Sequence, residues 1–425
     1  MAKNVKTVNK NARYGNMKNS KKRKHKKRRH ILLLTSILML ILTVCWYIVD
    51  ASYKEDKSKG YTKTKDGQLA QDVIQLKRAE NINRDNSAYS TGNYANVYNY
   101  IDTVKPVINN DFDMTMGNDG YYRMAGQNRY SILQLTDIHI TGTESVYDKD
   151  LKAVQTVYSM IQRAAPDFII LTGDVIFGTD DYDANDANDG IRALNVISTL
   201  MDKIGIPWTW CFGNHDHSFF DRYTSDIIAS MVSQSNTLRM YKNNPAVNGY
   251  TNGTFKLYNK NGALIMGLIL MDSGNIIQNT DGSYGYDYIR DDQTAWYEQE
   301  VAGLREDNPS VSSLLFFHIP LQEYINAWDS GIVVFGTKRE DVYCSSYHSS
   351  LFDKVVQLGS TKAMFVGHDH LNDYGAYYNG IELVYGKSID YTAYPGIENS
   401  TEQRGATLIN ITSDGNYSIV QMQYE

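Results

Sequence analysis

SILQLTDIHITGTESVYDKDLKAVQTVYSMIQRAAPDFIILTGD (131–174) reads as a strand, a helix and a second strand in succession. Its first seven residues are a short apolar run closed by Asp137, and DFIILTGD (167–174) repeats the pattern and closes on Asp174. Between them, DLKAVQTVYSMIQRAA (150–165) sets Leu151, Val154, Val157, Ile161 and Ala164 at helical spacing. Downstream, IRALNVISTLMDKIG (191–205) is a second amphipathic helix, and WTWCFGNHD (208–216) a further strand. ALIMGLILMD (263–272), SSLLFFH (312–318) and TKAMFVGHDH (361–370) are buried strands that end in polar residues. ATLINIT (406–412) and YSIVQMQY (417–424) alternate like half-buried strands. Early strands alternate with helices and the later part is strand-rich. The pattern predicts an α/β fold of stacked sheets flanked by helices, one domain over 128–425.

Upstream, the composition changes. Residues 94–127 are rich in Tyr and Asn and read as a lead-in, and 51–93 as a polar stalk, with a short helix possible over Gln68–Glu80; together they make a region 50–127. Residues 31–49, ILLLTSILMLILTVCWYIV, carry no charge and are long enough to span a hydrocarbon core of about 30 Å. KKRKHKKRRH (21–30) precedes them, so the tail 1–30 is expected in the cytoplasm and everything after Asp50 outside it. The length and the basic flank predict an uncleaved transmembrane anchor; a signal peptide cleaved near Ala51 and Ser52, giving a secreted protein, is the alternative.

Charge is distributed unevenly. Residues 1–30 hold 13 of the 42 Lys and Arg and no Asp or Glu, leaving 29 basic against 48 acidic side chains in the remainder. An acidic body is a poor partner for nucleic acid, where Lys and Arg must displace counterions. If such a body handles phosphate, metal ions must supply the positive charge. Three cysteines, Cys45 in the apolar segment with Cys211 and Cys344, make neither a disulfide framework nor a cysteine zinc site; nothing in the sequence brings the latter two together.

Five strand ends carry metal-ligand residue types: Asp137-Ile138-His139, Gly173-Asp174, Gly213-Asn214-His215-Asp216, His318 and Gly367-His368-Asp369-His370. The carboxyl ends of strands in an α/β sheet open into a common crevice, so these groups can converge. Carboxylate, imidazole and amide together suit Zn, Mn, Fe or Co, and seven ligands are enough for a pair of ions sharing a carboxylate.

The set D-x-H, GD, GNH(D/E), H and GHxH resembles the calcineurin-like metallophosphoesterase superfamily over most of 129–425. LTGDVIFG, IPWTWCFGNHD, FFHIPLQEY and FVGHDHLND are similar to its branch of purple acid phosphatase-like proteins and their bacterial relatives. The resemblance implies a four-layer αββα sandwich of two mixed β-sheets between helices. It further implies one ion on Asp137, His139 and His370, a second on Asn214, His318 and His368, and Asp174 bridging both. Position 177 is Phe where true purple enzymes carry a Tyr ligand, so an Fe(III)–tyrosinate centre is not expected.

The activity implied is hydrolysis of a small phosphorylated substrate, a phosphomonoester or small phosphodiester, by a metal-bridged hydroxide. Asn214 and His215 would contact the phosphate, His215 would protonate the leaving group, and Asp216 would orient His215. A catalytically inactive phosphate-binding module on the same fold is the alternative. Among smaller signals, His217 either touches substrate or faces solvent, and His348 lies at the pocket rim or is structural. Lys387 is read as exposed rather than phosphate-binding. The acidic run DDYDANDANDG (180–190) lacks the glycine and closing glutamate of an EF-hand and reads as a solvated loop.

Overall fold

The computed structural model describes residues 90, 92–107, 113–177, 187–220, 231–232, 235–241 and 244–425. The basic tail, the apolar segment 31–49, residues 50–89, where the Gln68–Glu80 helix is expected, and residues 180–186 of the acidic run lie outside them. Among the described residues, no helix is long and apolar enough to cross a membrane.

Two mixed sheets form the body. The five-stranded sheet runs, edge to edge, Tyr417–Gln423, Gly405–Thr412, Arg129–Leu135, Phe168–Thr172 and Trp208–Cys211. Its last three strands are parallel and the first two pair antiparallel. The nine-stranded sheet runs Asp113–Met116, Tyr122–Gln127, Gly253–Asn259, Leu264–Leu270, Ser312–Phe316, Thr361–Val366, Ile381–Tyr385, Gly375–Tyr378 and Val333–Phe335. Its centre, from 264–270 through 381–385, is parallel.

Alternation along each strand builds the layers, because successive side chains point to opposite faces. Phe168 and Ile170 join Phe255, Leu268, Leu314, Phe316 and Phe365 in a core between the sheets. Ile169 and Leu171 point the other way, into a core with Val154, Val157 and Ile161 of helix Tyr147–Ala164 and Leu194 and Ile197 of helix Ala187–Ile204. On the far side, Leu315, Met364 and Leu383 meet Tyr297 and Val301 of helix Asp291–Asp307 and Leu351 and Val355 of helix Leu351–Leu358. Each such buried apolar side chain contributes about 1.5–3 kcal/mol. Helix, sheet, sheet, helix is therefore the order of layers.

The lead-in packs into this body. Helix Ala95–Thr103 buries Val97, Tyr98 and Ile101 in the helical core, and 113–116 and 122–127 form one edge of the larger sheet. Buried Asp150 ties the lead-in to the loop after Asp137. It accepts hydrogen bonds from Tyr94 Oη (2.6 Å), Thr141 N (3.0 Å) and Gly142 N (2.9 Å).

The parallel strands of both sheets deliver their carboxyl ends to one place. Gln134 Nε2 donates to Thr172 Oγ1 (2.9 Å) within its own sheet and to Val366 O (3.0 Å) across to the other. Thr136 also bridges Ser388. The loops that follow these strand ends are held against one another.

Candidate metal centre

Three of the ligand loops leave their strands through an unusual backbone. Asp137, His139, Asp174 and His368 all have positive φ, at 52°, 54°, 49° and 79°. Such values are uncommon outside glycine and cluster where a site over-determines the chain. Close approach explains two glycines. A Cβ at Gly213 would collide with Asp174 Oδ1, and one at Gly367 with Thr136 Oγ1. The backbone there must run against the neighbouring loop, so GN and GH are steric requirements.

The side chains gather into two groups that share Asp174: Asp137, His139, Asp174 and His370 in one, Asp174, His318 and His368 in the other, all buried. In the first, His370 Nε2 is 3.3 Å from Asp137 Oδ1 and 3.1 Å from His139 Nε2. His139 Nε2 also stands 3.8 Å from both Asp137 Oδ1 and Asp174 Oδ2. In the second, His318 Nε2 is 3.1 Å from Asp174 Oδ2 and 3.3 Å from His368 Nδ1. Asn214 is buried beside them, and the next backbone N–H, of His215, donates to Asp174 Oδ1 at 2.8 Å.

This arrangement fits cations. His318 Nδ1 is 2.8 Å from the Thr172 carbonyl, which can only accept, so that nitrogen carries hydrogen and the neutral ring's lone pair faces Asp174. His370 Nδ1 is locked in the same way against Asp390 Oδ2 at 2.8 Å, turning its other nitrogen on Asp137 and His139. With both rings neutral, acceptor would face acceptor out of contact with water, so either a proton or a cation must stand between them. Burial alone would push His318 down, but Asp174 overrides it and holds the ring up to about 9. Burial, reinforced by the charge of His318, pushes His368 down to about 3. Asn214 Oδ1, a ligand-type oxygen, is buried without a hydrogen-bond partner, a costly condition in a native fold. A pair of cations between the groups would turn these repulsions into ligation.

His215 lies over the first group. Its ring stacks on Phe177 (centroids 4.9 Å apart, planes at 24°) and meets His139 edge-on at 5.2 Å. Phe177, at the position of the purple enzymes' tyrosine, therefore packs the two histidines. Asp216 does not orient His215 as expected. Strand 208–211 gives way to helix Asn214–Phe220, which turns Asp216 inward. Its carboxylate accepts from Val175 N (3.0 Å), Ile176 N (2.9 Å), Gly213 N (2.9 Å) and Trp210 Nε1 (3.2 Å). Asp216 braces two ligand loops, and burial together with the charge of Asp174 pushes it up to about 7.

Two smaller readings also change. His217 neither faces solvent nor lies open; it is buried, with Nε2 2.6 Å from Asp272 Oδ1. Lys387 is buried, donating to Asp373 Oδ2 (2.6 Å) and to Glu402 O (2.9 Å), on a hollow of about 470 Å³ that also takes in Arg339 and the carboxyl terminus. His348 is largely exposed beside Glu323. Cys211 and Cys344 are both free thiols.

Three site residues escaped sequence reasoning. Asp390 is fully buried behind His370 and is itself held by Thr392 N (2.6 Å) and Ala393 N (2.9 Å). It lies in YGKSIDYTAY (385–394), three residues after Lys387. Tyr394 stacks flat on His370 at 4.3 Å, and Tyr286 packs edge-on against His368 at 4.3 Å. The acid in an otherwise strand-end segment was a usable signal for Asp390; the tyrosines, among 33 in the chain, offered none.

Comparison with known proteins places this geometry. The family model for calcineurin-like phosphoesterases matches residues 130–372. "Probable inactive purple acid phosphatase 29" of Arabidopsis thaliana is 29% identical over 304 residues, covering 64% of this chain and 75% of that protein. "Phosphatase DCR2" of Saccharomyces cerevisiae is 26% identical over 272 residues, covering 58% of this chain and 45% of the yeast protein. A crystal structure of a dimetal phosphatase from Danio rerio superposes with a TM-score of 0.45 at 12% identity, over 69% of this chain and 96% of that one.

Proposed function

The chain belongs to the calcineurin-like phosphoesterase family, and from that premise we propose that it is a two-metal hydrolase of phosphate esters, taking phosphomonoesters or small phosphodiesters. The observation that carries this reading is one carboxylate, Asp174, shared by two buried clusters, with an imidazole in each locked from behind. Asp137, His139 and His370 would hold one ion, Asn214, His318 and His368 the other, and Asp174 both. Zn, Mn, Fe or Co suits this donor mix. When bound, such ions polarise the phosphate and make water acidic enough to ionise near neutral pH. Asn214 and His215 would contact the phosphate, and His215 would pass a proton to the departing oxygen.

Asp390 acts through His370. It should set the ring's tautomer and raise its basicity, the usual part of a carboxylate behind a ligating histidine. Asp390→Asn should weaken binding of Mn or Zn by about 10–100-fold, measured by titrating metal-stripped protein. Activity at saturating metal should largely return. An unchanged metal affinity would remove Asp390 from this role.

The Arabidopsis relatives described as probable inactive purple acid phosphatases favour a second reading, a phosphate-binding module without turnover. Hydrolysis of p-nitrophenyl phosphate and its bis ester by the full chain with Mn, Zn or Fe separates the two. Turnover supports the enzyme, and the ratio of the esters tells monoesterase from diesterase. No turnover with metal demonstrably bound would select the binding module. We place residues after Asp50 outside the cytoplasm, anchored by 31–49, on the charge asymmetry of the sequence. Protection of the body from protease added to intact cells would overturn that placement.

A further inference from the structure

Strand Leu264–Leu270 runs parallel to its neighbour Ser312–Phe316 and leads into Asp272 and Ser273. Its carboxyl end therefore points the same way as the strand that delivers His318, yet Asp272 belongs to neither metal cluster. Both Asp272 and Ser273 are buried. What they hold are the loops of the second cluster.

Asp272 grips the Asn214 segment from both sides. Its Oδ1 is 2.6 Å from His217 Nε2, three residues after Asn214 on the same short helix. Its Oδ2 accepts from Thr251 Oγ1 (3.3 Å), which in turn accepts from the backbone N–H of Phe212, two residues before Asn214, at 3.0 Å. The carboxylate also accepts from Tyr250 N (2.7 Å) and Gly274 N (3.0 Å). Asp272 is thus an acceptor on both oxygens, and His217 Nε2 carries the hydrogen between the pair. Ser273 takes the other loop: its Oγ accepts from Ile319 N, directly after His318, at 2.9 Å. The two loops abut, because a Cβ on Gly213 would strike the His318 ring. Asn214 Oδ1 has no hydrogen-bond partner of its own, so the course of the backbone on either side fixes where that oxygen stands.

We propose that Asp272, His217 and Ser273 are positioning residues that set the spacing of Asn214 and His318 around the second ion. The inference rests on the two-metal reading above. Its test weighs each ion separately, by calorimetric titration of the metal-stripped full chain with Mn or Zn. A His139→Ala background spoils the first cluster and reports the second; His368→Ala does the reverse. His217→Leu, which fills the space but cannot donate, should raise Kd in the His139→Ala protein by about 10-fold, at the low end of what is lost when a group behind the ligands is removed. Ser273→Ala should act in the same direction. His217→Gln, which can still donate to Asp272, should restore most of the affinity, a recovery that packing alone would not give. None of these changes should move Kd in the His368→Ala protein. Equal losses in both backgrounds, or no loss in the His139→Ala background, would overturn the proposal. Thermal unfolding run in parallel shows whether His217→Leu folds, and if it does not, the smaller Ser273→Ala change decides. A wild-type chain that binds no ion would instead defeat the two-metal reading, and the brace with it.

Discussion

Asp174→Ala should lower kcat/KM for p-nitrophenyl phosphate by at least about 10³-fold, and should also change the metal content of the protein. Asp174 is the one side chain common to both groups, with Oδ2 3.1 Å from His318 Nε2 and 3.8 Å from His139 Nε2. Its other oxygen accepts the His215 backbone N–H, so the same carboxylate positions the helix that carries Asn214 and His215. Removing it takes away the charge that makes two nearby cations tolerable. Losing the support of one ion alone costs several kcal/mol of transition-state charge stabilisation, and each 1.36 kcal/mol is tenfold in rate. The expected protein binds at most one ion per chain by elemental analysis, against two for wild type. Because the deletion leaves a small void at a loop, thermal unfolding measured in parallel separates loss of fold from loss of site. A folded Asp174→Ala protein that keeps two ions and wild-type rates would refute the shared-carboxylate centre.

The second large effect concerns the proton. His215→Ala should slow hydrolysis of alkyl phosphates by roughly 10²–10⁴-fold, the usual contribution of a positioned general acid. The p-nitrophenyl ester should be spared most of that loss, since nitrophenolate departs without a proton. A residue that only orients phosphate would depress both substrates alike, so the ratio of the two losses identifies the role. The geometry adds a constraint. Since Asp216 spends its carboxylate on Val175, Ile176, Gly213 and Trp210, the His215 ring is aimed by its stack on Phe177. Phe177→Ala should therefore reproduce part of the His215 phenotype on alkyl esters. Asp216→Ala should instead loosen both ligand loops and lower stability, because four donors lose their acceptor and each buried one costs about 1–3 kcal/mol.

Much of the fold was legible because strands and helices announce themselves through periods of two and 3.6. The apolar runs ending at Asp137, Asp174, His318 and His370 mark strands whose carboxyl ends share a crevice. Ligand-type residues in that order at those ends were enough to name a two-metal chemistry. Less was legible at GNHD. Periodicity could not show that the strand stops at Cys211 and that a helix begins at Asn214, and that boundary decides which way Asp216 and His217 point. The Tyr- and Asn-rich stretch before residue 128 reads as a lead-in with no helical period to place it, and only the fold shows helix 95–103 carrying Val97, Tyr98 and Ile101 into a core shared with residues from 133 onward.

By itself, then, the sequence determined the strands, the helices and the residue types that stand at the strand ends: local alternation chooses which face of a strand is buried, and residue type restricts which atoms can bind a cation. Only the tertiary structure decided how those groups are held and aimed. The positive φ values of four site residues, the locking of His318 by Thr172 and of His370 by Asp390, and the use of Phe177 as a stacking wall all depend on contacts between segments far apart in the chain. Such contacts leave no period in the sequence, because they are fixed by how two packed sheets bring their loops together.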